Sequence, residues 1–321
     1  MTTTQAPAGE ERRIRKSSAP WEFLHQYLER EIGNLGAADL AVRRDEPESI
    51  HDMRKASRRA RSALQTYAPG LGLAEAAQPL ILDLRWLGRR LSDARDVEVQ
   101  WQRIVARISE SDALPDPEAV YARVNEYFSE QAETARESAL AALDSARYGT
   151  LLGALDDFVG SLTGGTGREP AERAPAPDST AEDLARTLRR LAAKVSTRVN
   201  TVSAASSRTE RDELIHRARK GAKRMRYAME VIRPLAPKKT ARALFRFNDF
   251  QDVLGEFQDS VVARERLRNI VAAHEHTAES SFGLGILYQR EHQIGDEQAA
   301  RLHDQWQAAR KAARPLWRSR T

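Results

Sequence analysis

Cysteine is absent from the 321-residue chain, which excludes disulfides, thiolate metal sites and cysteine nucleophiles. Aromatic residues make up only 6%, and no apolar run approaches the roughly 20 residues that a membrane span needs. The first sixteen residues hold Glu10, Glu11, Arg12, Arg13, Arg15 and Lys16 but no apolar stretch, so no secretory signal is read there and a cytoplasmic protein is expected. Strand-like alternation is missing too. Glycine and proline cluster between periodic segments rather than inside them.

What is present is helical period. Trp21, Leu24, Leu28, Ile32 and Leu35 recur at spacings of three and four after the start signals Ser17, Ser18 and Pro20. The same period returns in Leu184, Leu188, Leu191, Val195, Val199 and Val202, and in Leu302, Trp306, Ala309 and Ala313. With alanine, leucine, arginine and glutamate dominant, an all-α protein is expected. The stretch Thr163 to Thr180, TGGTGREPAERAPAPDST, reads as a linker loop. The expected organisation is a tail over 1–17, helical bundle halves over 18–162 and 181–319, and the linker 163–180 between them.

Two halves of similar length invite a search for duplication. HDMRKASRRARSAL (His51 to Leu64) and HRARKGAKRMRYAM (His216 to Met229) share a template of histidine followed by basic residues at offsets 3, 4, 7, 8 and 10. In the first copy these are Arg54, Lys55, Arg58, Arg59 and Arg61; in the second, Arg219, Lys220, Lys223, Arg224 and Arg226. Further on, LSDARDV (Leu91 to Val97) aligns with LGEFQDS (Leu254 to Ser260), matching Asp96 to Asp259. Two pseudo-symmetric antiparallel bundles follow from that order.

On a helix those offsets fall within an arc of roughly 160°. The opposite side carries Met53, Ala56, Ala60, Leu64 and Tyr67 in one copy and Ile215, Ala218, Met225 and Met229 in the other, and is expected to face the core. Solvated helix faces normally mix acids and bases, because like charges one turn apart repel. These do not. Residues 51–61 carry +4 and residues 216–226 carry +6, so the other 299 residues are net −5 within a total of +5. Such self-repulsion suits an anion, and arginine's planar fork suits phosphate oxygens.

The residues here resemble a known family. With the two His-x-x-Arg-Lys segments, LSDARDVEV, FQDVLGEFQDS and the terminal WQAARKAARPLW, the chain is similar over nearly its whole length to the CHAD domain, the conserved histidine α-helical domain. The resemblance implies two helical bundles about a pseudo-twofold axis, with basic residues and motif histidines around a central channel. It also implies binding of inorganic polyphosphate and association with polyphosphate granules, without an established catalytic step and with no cofactor. No Glu-x-Glu-x-Lys signature of the family's triphosphate-processing companion, the CYTH domain, is seen, so a stand-alone module is expected. Lys223 stands where the first copy has Arg58, Arg217 where it has Asp52, and Gly221 interrupts the second helix at a cost of about 1 kcal/mol against alanine.

His51 and His216 are each read as opening a basic helix, either as structural hydrogen-bonding groups or as groups that take a proton beside phosphate. Metal binding lacks support: their neighbours are Asp52 and cations, and His274 and His276 lie two apart and read as surface residues. Asp96 and Asp259 are candidates to hold an arginine in place, or to reach a phosphate-bound divalent cation. Arg190, Lys194, Arg198, Lys239, Arg242 and Arg246 are secondary basic positions that could extend the surface, though each alone reads as solvated. Three rival functions remain open. Nucleic-acid binding fits a basic stripe, yet apart from Tyr227 the stripe has no interleaved aromatics for stacking. A polyphosphate-processing enzyme finds no P-loop ending in Gly160 to Glu169 and no catalytic triad. Membrane docking is disfavoured by non-basic faces built from alanine and methionine.

Overall fold

The structure, a computed structural model, describes residues 19–162, 181–273 and 277–318. The expected tail and linker, and His274 and His276, lie outside the described residues. The described residues are helical throughout, with no strand. α1 spans Pro20–Arg43, α2 Ser49–Tyr67, α3 Ala74–Arg90, α4 Ser92–Ser109 and α5 Pro117–Leu143. α6 spans Ala146–Leu162, α7 Ala181–Asn200, α8 Arg208–Val231, α9 Pro237–Ala273 and α10 Ala278–Ala313.

Local chemistry sets several starts. Pro20 occupies the first turn of α1, where its missing N–H is no loss, and Glu22 Oε1 accepts from the Ala19 backbone N–H at 3.0 Å. Asp116 caps α5 ahead of Pro117, accepting from the Ala119 N–H at 2.9 Å. Ser207 and Thr277 cap α8 and α10 in the same way, each accepting at 3.1 Å. The starting point expected for the second stripe is revised: α8 begins at Arg208, so His216 sits two turns inside it, whereas His51 does lie in the first turn of α2.

The periodic apolar positions are the ones that go inside. Leu24, Leu28 and Leu35, then Leu188, Val195 and Val199, then Trp306, Ala309 and Ala313 are buried together in one large core. Phe247 and Phe250 meet Trp306 at ring-centroid distances of 6.0 and 5.2 Å. Each such side chain contributes about 1.5–3 kcal/mol by leaving water. The two sequence halves do not keep separate cores. Val97, Ile104, Val120, Val124 and Phe128 form a second core with Leu267, Ile270, Leu284 and Leu287. The reason is length: α9 and α10, with 37 and 36 residues, each run about 55 Å and reach α4 and α5.

The apolar faces of α2 and α8 turn inward as their spacing requires. α2 packs against α1, α3 and α8, and α8 against α7 and α9. Ser57 Oγ donates to the Leu84 carbonyl at 3.1 Å, fixing α2 on α3. Tyr67 Oη donates to the Ala228 carbonyl at 2.7 Å, fixing α2 on α8. Gly221 is where α7 approaches α8: a Cβ there would stand 3.2 Å from Val195 Cγ2 and 2.8 Å from Arg198 Nη1. The aligned Leu/Asp segments differ in one respect, since LSDARDV spans the break between α3 and α4 while LGEFQDS lies within unbroken α9.

Candidate functional site

Where α2 crosses α8, Arg54 and Arg58 of the first helix face Arg219 and Lys223 of the second. Arg54 is anchored from α4: its Nη1 donates to Asp96 Oδ1 at 2.9 Å and to the Ser92 carbonyl at 3.4 Å. Arg58 donates from Nε to Tyr227 Oη at 2.8 Å, and its guanidinium lies 5.9 Å from the centre of that ring. Arg219 and Lys223 have no carboxylate within 4 Å among the described residues, and the buried Nε of Arg219 has no hydrogen-bond partner. Asp259 of α9 is the opposing charge that acts most strongly on both.

The electrostatic consequences are direct. Burial, reinforced by Arg219, Arg58 and Arg54, pushes the Lys223 amine down to about 6. Burial also lowers Arg219, against the pull of Asp259 and with the repulsion of Arg58. Asp259 itself is raised by burial even beside these cations. A group of four half-buried bases with two carboxylates is short of negative charge, and a bound anion would supply it.

The histidines flank this group without joining a metal cluster. His51 is held below its ordinary value by burial and then by Arg95. His216 is likewise lowered, mainly by burial, while its Nδ1 donates to Gln258 Oε1 at 2.6 Å. Both imidazoles are therefore neutral near pH 7. Among the described residues no three His, Asp or Glu side chains gather to hold a metal ion.

The rest of each stripe divides. Lys55 pairs with Asp52 at 3.1 Å, and Lys220 is exposed. Arg59 lies 3.3 Å from Glu230 and 3.9 Å from buried Glu31. Arg226 pairs with the same Glu230 at 3.1 Å and donates to Gln251 at 2.8 Å. Arg224 donates to Thr66 Oγ1 at 3.1 Å and to the Gln65 carbonyl. Arg61, half-buried among Arg85, Arg58 and Arg89, has no acid partner among the described residues. The stripes are therefore not uniform cationic faces. Arg59 is neutralised by Glu230 of the other half and by Glu31 of α1, which no helical wheel of its own segment reveals, and Arg226 by Glu230 one turn further along α8.

Sequence reasoning missed Tyr227 as the anchor of Arg58, and Arg95 and Gln258 as the neighbours of the two histidines. A signal for the last two existed. In the alignment of LSDARDV with LGEFQDS, Arg95 matches Gln258 and Asp96 matches Asp259. The contacts keep that order: His51 faces Arg95 and His216 faces Gln258, while Arg54 faces Asp96 and Arg219 faces Asp259. Across the crossing, Arg59 meets Glu230 and Arg224 meets Gln65, a reciprocal pair of contacts.

Comparison with known proteins bears on the whole arrangement. The family profile described as CHAD domain matches residues 9–268. The chain belongs to the CHAD domain family. An uncharacterized protein of Mycobacterium tuberculosis strain CDC 1551, MT2285, is 34% identical over 294 residues, covering 90% of this chain and 53% of that protein. The uncharacterized protein Rv2226 of strain H37Rv matches equally. The chain thus spans about half the length of the curated relatives it matches. Among solved structures, the CHAD domain from the plant Ricinus communis superposes with a TM-score of 0.69 at 24% identity, covering 95% of this chain and 98% of that one. PptA from Streptomyces chartreusis gives 0.71 at 16% identity, covering 90% and 100%. At these identities the structural likeness establishes the CHAD fold alone.

Proposed function

We propose that this CHAD protein binds inorganic polyphosphate, without cleaving or extending it, in a cationic groove centred on the crossing of α2 and α8. One observation carries the reading: Arg219 and Lys223 are half-buried against Arg54 and Arg58 without a carboxylate of their own. Arg219 keeps a partly desolvated charge without a carboxylate and Lys223 gives up its proton rather than do so; both cost stability, and a multivalent anion offsets that cost. Linear polyphosphate presents a charge at every repeat and matches several cations on two facing helices. The reciprocal contacts support an internal duplication whose two basic helices line one shared groove. In this reading His51 and His216 stand at its flanks, with Lys55 and Lys220 beside them.

Tyr227 weighs against a nucleic-acid ligand. It is the aromatic residue of the stripe, and it is buried, with its hydroxyl engaged by Arg58. Among the described residues of the two stripes no aromatic face is left free for base stacking. Polyphosphate granules, in the cytoplasm, are the matching physiological surface.

The decisive variant is Arg54→Glu with Arg219→Glu. Polyphosphate affinity measured by calorimetry is expected to fall at least a hundredfold with helix content unchanged by circular dichroism, since several kcal/mol of charge-assisted contacts reverse sign. Unchanged affinity would put the site elsewhere. Wild-type protein incubated with polyphosphate and Mg²⁺ is expected to leave the chain-length distribution as it was, and shortened or lengthened chains would make it an enzyme.

A further inference from the structure

The last basic position of the repeated template meets opposite surroundings in the two copies. In the second copy Arg226 is tied to Glu230 and Gln251, and Glu230 also takes Arg59 and a hydrogen bond from Tyr27 Oη at 2.9 Å. Buried Glu31 stands 3.9 Å behind Arg59. That end of the crossing is lined with carboxylates. A groove of about 390 Å³ between α1 and α2 continues it, edged by Glu31, Glu46 and Asp52 with Lys55 and Arg59. The two bases there are already answered, Lys55 by Asp52 and Arg59 by Glu230 and Glu31, so a polyanion meets no unpaired cation on that side.

In the first copy Arg61 occupies the matching place, and nothing acidic answers it. Its Nη1 sits 3.9 Å from the point where a side chain on Gly88 would begin, so the absent side chain leaves the guanidinium lying against α3. Arg85 and Arg89 flank Gly88 on the same helix, both exposed and neither ion-paired among the described residues. Beyond them a groove of about 440 Å³ is lined by Gln65, Gln78, Arg85 and Arg224 together with apolar residues, and by no carboxylate. From Arg54 to Arg61 the path rises about 10 Å along α2 at 1.5 Å per residue, and α3 extends it.

Resting on the polyphosphate reading above, we propose that the chain leaves the centre of the groove in one direction only, across α3, with Arg61, Arg85 and Arg89 holding its outgoing segment. The central cations serve any short polyphosphate; the α3 arginines engage only an anion long enough to pass Arg58. Affinity therefore grows with chain length through one exit, and the carboxylates at the other end set the direction.

The test compares tripolyphosphate with long-chain polyphosphate on the full chain by titration calorimetry at several salt concentrations. Arg85→Glu with Arg89→Glu is expected to hold tripolyphosphate affinity within twofold while weakening the long chain on the order of tenfold and flattening its salt dependence, because fewer counterions are released. Arg242→Glu with Arg246→Glu, an equal charge change on exposed residues of α9, is expected to leave both within twofold. Unchanged long-chain affinity in the α3 variant overturns the proposal, as does an equal loss in the α9 variant. Should wild-type protein bind neither anion, the parent reading fails with it; should it bind both, these outcomes judge the exit alone.

Discussion

Two clusters of arginine in this molecule have opposite fates. At the junction of α4, α9 and α10, Arg103 lies 2.8 Å from Glu256 and 2.7 Å from Glu291, and Arg107 lies 3.3 and 3.2 Å from the same two acids. At the crossing of α2 and α8, Arg219 and Lys223 lie among other bases. The first cluster closes on itself and joins helices. The second is left open by the same chain, so arginine content alone does not mark a binding surface; the supply of carboxylates from neighbouring helices does.

Breaking the closed cluster has the larger expected effect on stability. Glu291 is 1% exposed, and Glu291→Gln leaves Arg103 with Glu256 alone and Arg107 with Glu256 and the exposed Glu110, which is expected to cost about 3–5 kcal/mol in urea unfolding with polyphosphate affinity intact. Arg219→Met is expected to do the reverse, holding stability within about 1 kcal/mol while weakening polyphosphate binding by at least tenfold. If Glu291→Gln were the variant that lost binding, the division between the two clusters would collapse.

A pH titration sharpens the comparison at Lys223. The amine is about 6 in the folded protein against an ordinary 10.5, so between those values the unfolded chain holds a proton that the folded chain lacks. Stability contributed at this position therefore rises with pH across that window, and Lys223→Met is expected to flatten the rise. On the proposed reading, polyphosphate bound there would raise the proton affinity of an amine surrounded by Arg219, Arg54 and Arg58 and faced by Asp259. Binding is thus expected to take up protons and to tighten from pH 8 to 6. Calorimetry in buffers of different ionisation enthalpy counts those protons. His51→Gln with His216→Gln separates the imidazole share, and a proton count that Lys223→Met leaves untouched would assign the uptake to other groups.

The smallest effect is expected at Gly221. Alanine there gains about 1 kcal/mol of helix propensity but crowds Val195 and the end of Arg198 by an overpacking cost of about 1–3 kcal/mol, for a net loss near 1 kcal/mol in thermal unfolding. A stabilised variant would show that α7 yields.

Much of this fold was legible because helices write their period into local sequence. The buried faces of α2 and α8, from Met53 and Leu64 to Ile215 and Met229, follow from spacing alone. Asp96 also read as a candidate to hold an arginine of the basic helix, and the structure identifies that arginine as Arg54. Other features depend on which helices become neighbours. Glu230 lies 171 residues from Arg59, and nothing near Arg59 foretells it. Arg85 and Arg89 lie outside the repeated motif, with Asn248 and Asp252 at the aligned places in the second half, so similarity between copies could not single them out. Gly221 read as a propensity cost in one helix and is instead a close approach between two.

The second core has a consequence for how the chain acquires its structure. Val97 and Phe128 are sheltered by Leu267 and Leu287, residues made more than a hundred positions later, so during synthesis α4 and α5 wait with their apolar faces uncovered. Neither half is a self-sufficient folding unit. Cooperativity therefore extends across both halves of the described residues, since α9 and α10 complete the core that α4 and α5 begin.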